Sequence, residues 1–340
     1  IMSEFRIDQI KSQDASRGPD VAGITTFTGT SGIVMPSGDT AYRGGRGRGL
    51  FTGGYDGPTN INTIDYITIA TTGDAVDFGD LVSIRLQPGS LSSSVRGLVG
   101  GGRDPGVTSE IDYLTISSTG NAFNFGDLTV GRRAMAALSN NSRGIWAGGD
   151  SPSRRTEIDY VTISSTGNAA TFGELDVATN TFEGTSSSTR GLLCGGETAS
   201  PHSPENIISY LTISTTGNNK DFGDLTSGRR GGASCSSSTR GLTGGGNTGS
   251  ITNTIDYVTI ASLGDAIDFG DLTQARWLTT STSNSIRGVW GGGYNPSPAS
   301  EYDVIDYITI ASIGNATDFG NLQTSRRSLS SCSDSHGGLG

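Results

Sequence analysis

Short apolar segments separated by turn residues alternate along most of the chain. In residues 96–141, an apolar segment ends at Gly102, Ile111–Ile116 alternates apolar with polar residues, and a tight turn containing Gly120 leads to a return segment over 123–128. Alternation with a period of two indicates a β-strand, and glycine in the turn can adopt positive φ without steric cost. A segment of small residues completes the unit. The pattern predicts four short antiparallel strands and no helix.

This unit occurs six times at nearly constant spacing. Each copy contains a tyrosine strand, a hairpin turn and a Phe-Gly strand, with successive tyrosines 47, 47, 50, 47 and 50 residues apart. A period of this length with strand and turn signals is typical of propellers and solenoids, and a four-stranded sheet of this size is one propeller blade. The tyrosines are Tyr66, Tyr113, Tyr160, Tyr210, Tyr257 and Tyr307, and the phenylalanines are Phe78, Phe125, Phe172, Phe222, Phe269 and Phe319.

The small-residue segment is predicted to be the innermost strand, because bulky side chains do not fit where several strands converge on an axis. The order of inner, diglycine, tyrosine and outer aromatic strands resembles a kelch repeat, with Phe in place of the usual outer Trp. We predict an all-β, six-bladed kelch-like β-propeller with a short N-terminal extension. Residues 326–334 form an additional inner strand, which we expect to close the ring in the blade of Tyr66. A seven-bladed ring is the alternative, but residues 1–47 contain no Tyr/Phe pair to build that blade.

Composition suits many thin sheets better than one large core. The chain of 340 residues contains 53 glycines, and 33% of its residues are hydrophobic. The formal net charge is −10, with Lys11 and Lys220 as the only lysines, so we predict no nucleic-acid partner. No apolar run of 18 residues occurs, and the N-terminus lacks the basic-then-apolar order of a signal peptide. We therefore predict no membrane insertion.

Two arginine columns and two acidic columns recur at fixed offsets. Opposite charges repeated in this way predict inter-strand ion pairs that connect the blades. An arginine cluster that grips a carboxylate, as in six-bladed sialidases, is the alternative, but their Ser-x-Asp-x-Gly-x-Thr-Trp box is absent. The first arginine column contains Arg48, Arg96, Arg143, Arg190, Arg240 and Arg287, with His336 at the seventh position; the second contains Arg85, Arg132, Arg229, Arg276 and Arg326, with Thr179 as the exception. The acidic columns are Asp65, Asp112, Asp159, Asp256 and Asp306, and Asp80, Asp127, Glu174, Asp224 and Asp271.

The sequence contains no recognisable catalytic or metal-binding set. The turn 74–80 and its equivalent in the fifth unit carry three aspartates each, but they lack the alternate-residue spacing of a calcium loop, and turn formation explains them. His202 and His336 are the only histidines, too few for a histidine-based copper or zinc site. Cys235 and Cys332 occupy a column that also accepts Leu and Thr, which predicts a small buried slot. We predict no metal, no cofactor and no enzymatic activity.

The units differ most in the loops that follow the diglycines, where both three-residue insertions fall. Loops on one face of a rigid ring usually carry binding specificity, and tyrosines suit contact with sugars or proteins; drift in unconstrained loops is the alternative. The loops span residues 55–62, 103–109, 150–156, 197–206, 247–253 and 294–303. The candidate ligand-binding residues are Tyr55, Asp56, Arg103, Asp104, Arg154, Arg155, His202, Tyr294, Asn295 and Tyr302.

Residues 1–42 differ in texture from the repeats, and we predict a separate docking segment there, with the propeller over residues 43–340. Its apolar runs VAGITTF and SGIVMP are too short to form a core. The run IDQIKSQDASRGPDVAGITTFTGTSGIVMPSGDTAYRGGRGRG, followed by Ile64–Leu81 and five similar units, resembles structural proteins from tailed phages of marine cyanobacteria. The ending Ser335–Leu339 is similar as well. This resemblance covers essentially the whole chain. It implies a virion or virion-associated protein and brings no catalytic residues.

Two functions follow as expectations. In the first, the propeller is a fibre-head or adhesin module that is anchored by residues 1–42 to other virion proteins and binds a host-surface glycan or protein through its variable loops. In the second, it is a decoration or connector protein that binds only other virion proteins. A cellular kelch-like scaffold is a weaker third alternative. The docking segment could equally meet a second copy of the chain, so a homo-oligomer stays open.

Overall fold

The strands form six four-stranded antiparallel sheets. In the computed structural model, which describes residues 47–198 and 203–339, the inner strands of successive sheets lie against one another in a closed ring. The fold is a six-bladed β-propeller, so the predicted fold class is confirmed and the ring closes without a seventh blade. The predicted docking segment, residues 1–42, lies outside the described residues.

The strand order within each blade is inner, diglycine, tyrosine and outer, as predicted. Blades 1 to 3 contain, in that order, β28 (Ser330–Ser333), β1 (Arg48–Tyr55), β2 (Asn60–Thr68) and β3 (Val76–Asp80); β4 (Gly89–Ser92), β5 (Arg96–Gly100), β6 (Glu110–Thr115) and β7 (Phe123–Asp127); and β8 (Ala136–Ser139), β9 (Arg143–Ala147), β10 (Glu157–Thr162) and β11 (Ala170–Glu174). Blades 4 to 6 contain β13 (Glu183–Ser186), β14 (Arg190–Cys194), β16 (Ile207–Thr212) and β17 (Lys220–Asp224); β18 (Ala233–Ser236), β19 (Arg240–Gly244), β20 (Thr254–Thr259) and β21 (Ile267–Asp271); and β22 (Thr280–Ser283), β23 (Arg287–Gly291), β26 (Val304–Thr309) and β27 (Thr317–Asn321). Two short pairs lie outside the blades: β12 (Thr179–Asn180) with β15 (Glu197–Thr198), and β24 (Tyr294–Pro296) with β25 (Ala299–Glu301).

The ring is closed by the predicted strand from the far end of the chain. β28 pairs antiparallel with β1, placing Cys332 opposite Leu50. The continuous strand is shorter than the predicted 326–334, because Ser328 adopts positive φ and interrupts the ladder, which resumes at the single pair of Arg327 with Tyr55. Closure in this way removes the free inner edge of blade 1.

The core lies between blades, since each blade buries its faces against its two neighbours. One core cluster contains Leu50, Ile64 and Phe78 of blade 1 together with Val99 and Leu114 of blade 2. The column that accepts Leu, Thr or Cys faces this interior, and the predicted slot is confirmed. All six of its residues are buried: Leu91, Leu138, Thr185, Cys235, Thr282 and Cys332.

The Phe-Gly motif connects each outer strand to the hairpin turn of the next blade. The Gly120 N–H donates to the Phe78 carbonyl oxygen at 2.7 Å, and the Ala122 N–H donates to the Asp80 carbonyl oxygen at 2.8 Å. A Cβ atom on Gly79 would lie 2.6 Å from the backbone of Gly120. The glycine is therefore required by close approach of two backbones, which explains why every unit repeats it.

Candidate functional site

A closed ring of serine hydroxyl groups encircles the central channel near one end. The last residue of every inner strand is a serine, and its Oγ donates to the carbonyl oxygen of the equivalent serine in the preceding blade at 2.6–2.7 Å. The hydroxyl protons are thereby committed to neighbouring blades, which satisfies these buried groups and ties the blades together. The serines are Ser92, Ser139, Ser186, Ser236, Ser283 and Ser333.

Residues 335–339, which we call the plug, fill the channel at this end. The plug includes the 3₁₀ turn Gly337–Leu339, and a Cβ atom on Gly338 would overlap the Ser139 carbonyl oxygen. His336 places Nε2 3.1 Å from the carbonyl oxygen of Ser92, and the Gly338 N–H donates to Nδ1 at 3.1 Å. A carbonyl oxygen can only accept, so Nε2 carries the proton and Nδ1 is the acceptor. Burial lowers the pKa of His336 to about 4. At neutral pH the ring is an uncharged structural contact, unlike the arginines whose column it was predicted to extend.

The opposite end of the channel is surrounded by a second ring, made of backbone. Residues at the same position in each blade adopt positive φ, between 50° and 60°. Each N–H donates to the carbonyl oxygen of the preceding blade's equivalent at 2.6–3.0 Å, so the bonds form a closed circle. Left-handed backbone is unusual for residues other than glycine, and here the circle of bonds holds it in place. The residues are Gln87, Ala134, Thr181, Gly231, Leu278 and Ser328.

The variable loops lie at this second end, which we call the loop face. The residue before each left-handed position pairs through its backbone with the first residue of a post-diglycine loop, as Arg327 does with Tyr55 and Trp277 with Tyr294. The loop face therefore surrounds the channel mouth, while the plug occupies the other end. Some of the predicted loops contain strand: residues 60–62 belong to β2, and residues 294–303 include β24 and β25. The sequence offered no reason to place the loops around the mouth, because that depends on how the inner strands meet at the axis.

Aromatic and arginine side chains form one side of the loop face. The guanidinium carbon of Arg327 lies 4.1 Å from the ring centroid of Tyr294 and 4.8 Å from that of Tyr55. The rings of Tyr294 and Trp277 lie 6.5 Å apart, and Arg230 lies 5.9 Å from the Trp277 ring. These distances fit cation–π contact and aromatic packing.

A buried carboxylate continues this side chain network. Glu197 accepts from Arg230 at 2.5 Å and from Arg154 at 2.9 Å, and the Arg154 Nε–H donates to the Asn180 side-chain oxygen at 3.1 Å. We call the combined set the rim cluster. It comprises Tyr55, Arg154, Glu197, Arg230, Trp277, Tyr294 and Arg327.

Three predicted site residues thus belong to the rim cluster: Tyr55, Arg154 and Tyr294. Sequence reasoning missed four members of the cluster. Glu197 is the first residue of a predicted loop, and Arg230, Trp277 and Arg327 each directly follow a residue of the second arginine column. That position varies among the blades, and this variation was the available signal.

The other predicted residues do not converge on one point. Asp56 accepts from Thr59 within its own turn, Arg103 donates to the Pro105 carbonyl oxygen, and Asn295 accepts from the Ser297 N–H. Each contact is local and explains loop shape.

Three further predicted residues are held in place by neighbouring residues. Asp104 accepts from the Asn60 amide at 3.2 Å, Arg155 pairs with Glu157 at 3.5 Å, and Tyr302 is bound through its backbone N–H to Gly293. His202 lies outside the described residues.

The second arginine column forms the predicted ion pairs. Arg85 meets Asp112 at 3.0 Å and Arg276 meets Asp306 at 2.6 Å, with both partners fully buried in each pair. Burial raises the pKa of Asp112 and the Arg85 guanidinium opposes that rise. Each arginine also donates to at least one backbone carbonyl oxygen of the blade that contains its aspartate, so the pairs fasten the connecting segment between two blades to the second of them. The remaining pairs are Arg132–Asp159, Arg229–Asp256 and Arg326–Asp65.

The ion-pair prediction is wrong for the first arginine column. Arg143 stacks over the Tyr160 ring at 4.5 Å and donates to the Ile213 carbonyl oxygen of the next blade at 2.9 Å. The other five arginines make the same two contacts. A planar guanidinium can stack on a ring and donate to a carbonyl simultaneously, so the column is structural through different partners from those predicted.

The aspartates considered for calcium also connect blades. Asp74 accepts from the Asn321 N–H of the neighbouring blade at 2.9 Å, and Asp265 accepts from the Asp224 N–H at 3.0 Å. Asparagines make this bond in the other four blades. Either residue can accept here, which explains why both occur in the column.

Blade 4 departs from the shared pattern at several buried positions. Thr179 and Ser209 replace the arginine and aspartate of the buried pair, so both partners are substituted together. Glu183 stands where the other inner strands begin with Gly, Ala, Thr or Ser, and it faces the open channel mouth. Burial raises the pKa of Glu183 well above the usual range.

Among residues 47–198 and 203–339, no group of three or more His, Cys, Asp or Glu side chains could hold a metal ion. The same residues contain no helix long and apolar enough to cross a membrane. No protein-family model matches the chain, and no curated protein matches it. The fold and the geometry of the loop face therefore define the class of protein: a six-bladed β-propeller with one plugged end and one variable face.

Proposed function

We propose that the protein is a non-enzymatic binding module of a phage particle that uses the rim cluster to bind a glycan on the host surface. The observation that carries this proposal is the row of partly exposed Tyr55, Tyr294 and Trp277 beside the channel mouth. Aromatic rings offer flat apolar faces against which the C–H faces of sugar rings stack, and such side chains lose little conformational entropy on binding.

The polar groups of the rim cluster support the same ligand class. Arg230 lies against Trp277, and Glu197 joins Arg230 to Arg154, so these three side chains already hold one another in place. Fixed donors and acceptors beside an apolar platform suit a ligand rich in hydroxyl groups. The loops around this platform are where the blades differ, which suits recognition of one ligand among many.

A glycan array with the isolated chain tests this function. We expect a restricted set of glycans to bind, and Trp277→Ala or Tyr294→Ala to weaken binding by about 30-fold, the loss typical of aromatic hot spots. Phe123→Ala is the matched control, because Phe123 is an exposed aromatic residue of an outer strand, 63% exposed. Binding that survives both rim substitutions would contradict the proposed site. A chain that binds no glycan but binds purified virion proteins would favour the decoration or connector role.

The place of the protein on a virion rests on the resemblance to cyanophage structural proteins. Mass spectrometry of purified particles tests it, and a protein found only in host cells would favour the cellular scaffold instead. A chain beginning at Arg43 should stay folded and monomeric but no longer assemble onto particles. If that chain unfolds, residues 1–42 belong to the propeller and the anchoring role fails.

A further inference from the structure

The arginine head group that five blades bury is replaced by open space in blade 4. In those five blades the guanidinium sits between the buried aspartate and backbone carbonyls. Arg276, for example, lies 2.6 Å from Asp306 and donates to the carbonyl oxygens of Gly292 and Val304 at 3.3 and 2.9 Å. The equivalent positions in blade 4 are Thr179 for the arginine and Ser209 for the aspartate.

A cavity of about 230 Å³ occupies this place. Its wall includes Thr179 and Ser209 together with Gly195 and Ile207, whose counterparts Gly292 and Val304 accept from the guanidinium in blade 6. Within the described part of the chain, no donor reaches the Gly195 carbonyl oxygen. Room for a single water takes only about 10–15 Å³ of such volume, so the cavity is large enough for a guanidinium group.

The substitutions around the cavity compensate for one another. In blade 2 the aspartate of the pair also accepts a backbone N–H, from Val82 to Asp112 at 3.0 Å. In blade 4 the equivalent Asp176 N–H donates to Asn219 at 2.9 Å, so Asn219 has taken over that bond. Asn219 occupies a column that is otherwise alanine. The backbone of the site is therefore kept while the arginine is absent.

The cavity is open and acidic. Asp176, Val177 and Asp221 form its outer wall and are exposed, and Glu205 lines it further in. Glu205 accepts from Thr198 at 2.8 Å through one carboxylate oxygen. A cation entering from solvent would meet carboxylates first and carbonyl oxygens behind them, an order that suits a planar cation with several N–H donors.

We infer that the blade 4 cavity binds a guanidinium group from outside the fold, in the position that an arginine of the chain itself fills in the other five blades. This site shares no residue with the rim cluster, although Thr198 directly follows Glu197, and the inference does not depend on the function proposed for that cluster. The guanidinium group could belong to a small free cation or to an arginine side chain of another protein.

Thermal unfolding and calorimetric titration with methylguanidinium chloride test this inference. We expect a saturable rise in melting temperature with methylguanidinium, and a much smaller rise with methylammonium chloride at equal ionic strength. Ser209→Asp restores the missing carboxylate, and we expect it to lower the Kd for methylguanidinium by roughly tenfold, since hydrogen bonds to charged groups are the strong ones. The double substitution Thr179→Arg with Ser209→Asp fills the site and should abolish the response. Equal responses to the two cations, or an unchanged Kd for Ser209→Asp, would overturn the inference even if the double variant fails to fold.

Two further arms calibrate the site and separate the sources. Arg229→Ala opens the equivalent space in blade 5 beside Asp256, and methylguanidinium should partly restore the melting temperature of this variant. The size of that rise measures how much a bound guanidinium group stabilises this fold. N-acetylarginine amide should bind the blade 4 cavity as tightly as methylguanidinium if an arginine side chain is the natural occupant, and at least tenfold more weakly if the site takes a small cation.

Discussion

The plug makes the stability of the propeller depend on the protonation of one histidine. His336 donates through Nε2 to Ser92 and accepts from the Gly338 N–H at Nδ1. A second proton would have to sit on Nδ1, where it would face the Gly338 N–H instead of accepting from it. Protonation therefore costs a hydrogen bond as well as the burial of a charge.

The magnitude follows from the pKa of His336, which burial lowers from 6.5 to about 4. In the folded state the imidazole binds a proton less readily than in the unfolded chain, so stability falls as pH drops from 6.5 towards 4. At 1.36 kcal/mol per pH unit, the full loss is about 3 kcal/mol. Above pH 6.5 nothing of this stability is lost, because the imidazole is then neutral in both the folded and the unfolded state.

The assay compares the wild type with His336→Gln, which cannot titrate in this range. Free energies of urea unfolding measured between pH 4 and 7.5 should diverge by about 3 kcal/mol on acidification, with the wild type losing more. NMR titration provides the direct readout, since the only other histidine is His202 and a His202→Gln variant assigns the two imidazole signals. A His336 signal that titrates near 6.5, or parallel stability curves for the two proteins, would refute the reasoning.

Three further predictions concern the rings and the charges inside the fold. Glu183→Gln should stabilise the protein at neutral pH, because the raised pKa of Glu183 makes its ionised form unfavourable in the folded state. The difference in unfolding free energy between the variant and the wild type should disappear as pH falls to the ordinary pKa range of glutamate. An equal difference at all pH values in urea unfolding would contradict this. Arg143→Ala should cost roughly 1 to 3 kcal/mol of unfolding free energy through loss of the Tyr160 stack and the bond to Ile213, with Arg143→Lys intermediate and ligand binding unchanged; altered binding at unchanged stability would show a functional role instead. Deletion of residues 325–340 should abolish the cooperative calorimetric transition, because it exposes the edge of β1 and leaves the buried Asp65 without Arg326, whereas a sharp transition in the deleted chain would mean that closure is not required.

Much of the fold could be predicted because its causes are local and repeated. Alternation marked the tyrosine strands, small residues marked the inner strands, and the additional strand near Cys332 identified the closure with β1. The ion pairs were predicted correctly for the second arginine column and wrongly for the first. An arginine next to a tyrosine strand can stack or form an ion pair, and the spacing of Arg143 along the chain does not distinguish the two.

The sequence by itself determined the number of blades, the order of strands within a blade and the loops in which the blades differ. Each of these follows from comparing units that repeat every 47 or 50 residues. The tertiary structure alone decided what meets around the axis. Tyr55 and Tyr294 flank Arg327 only because the ring closes and brings the first and last blades together. The cavity in blade 4 likewise depends on two substitutions, at Thr179 and Ser209, that are 30 residues apart and become one space only when the sheet folds. Contacts across a closed ring depend on how every blade packs on the next, and no local pattern of residues records that.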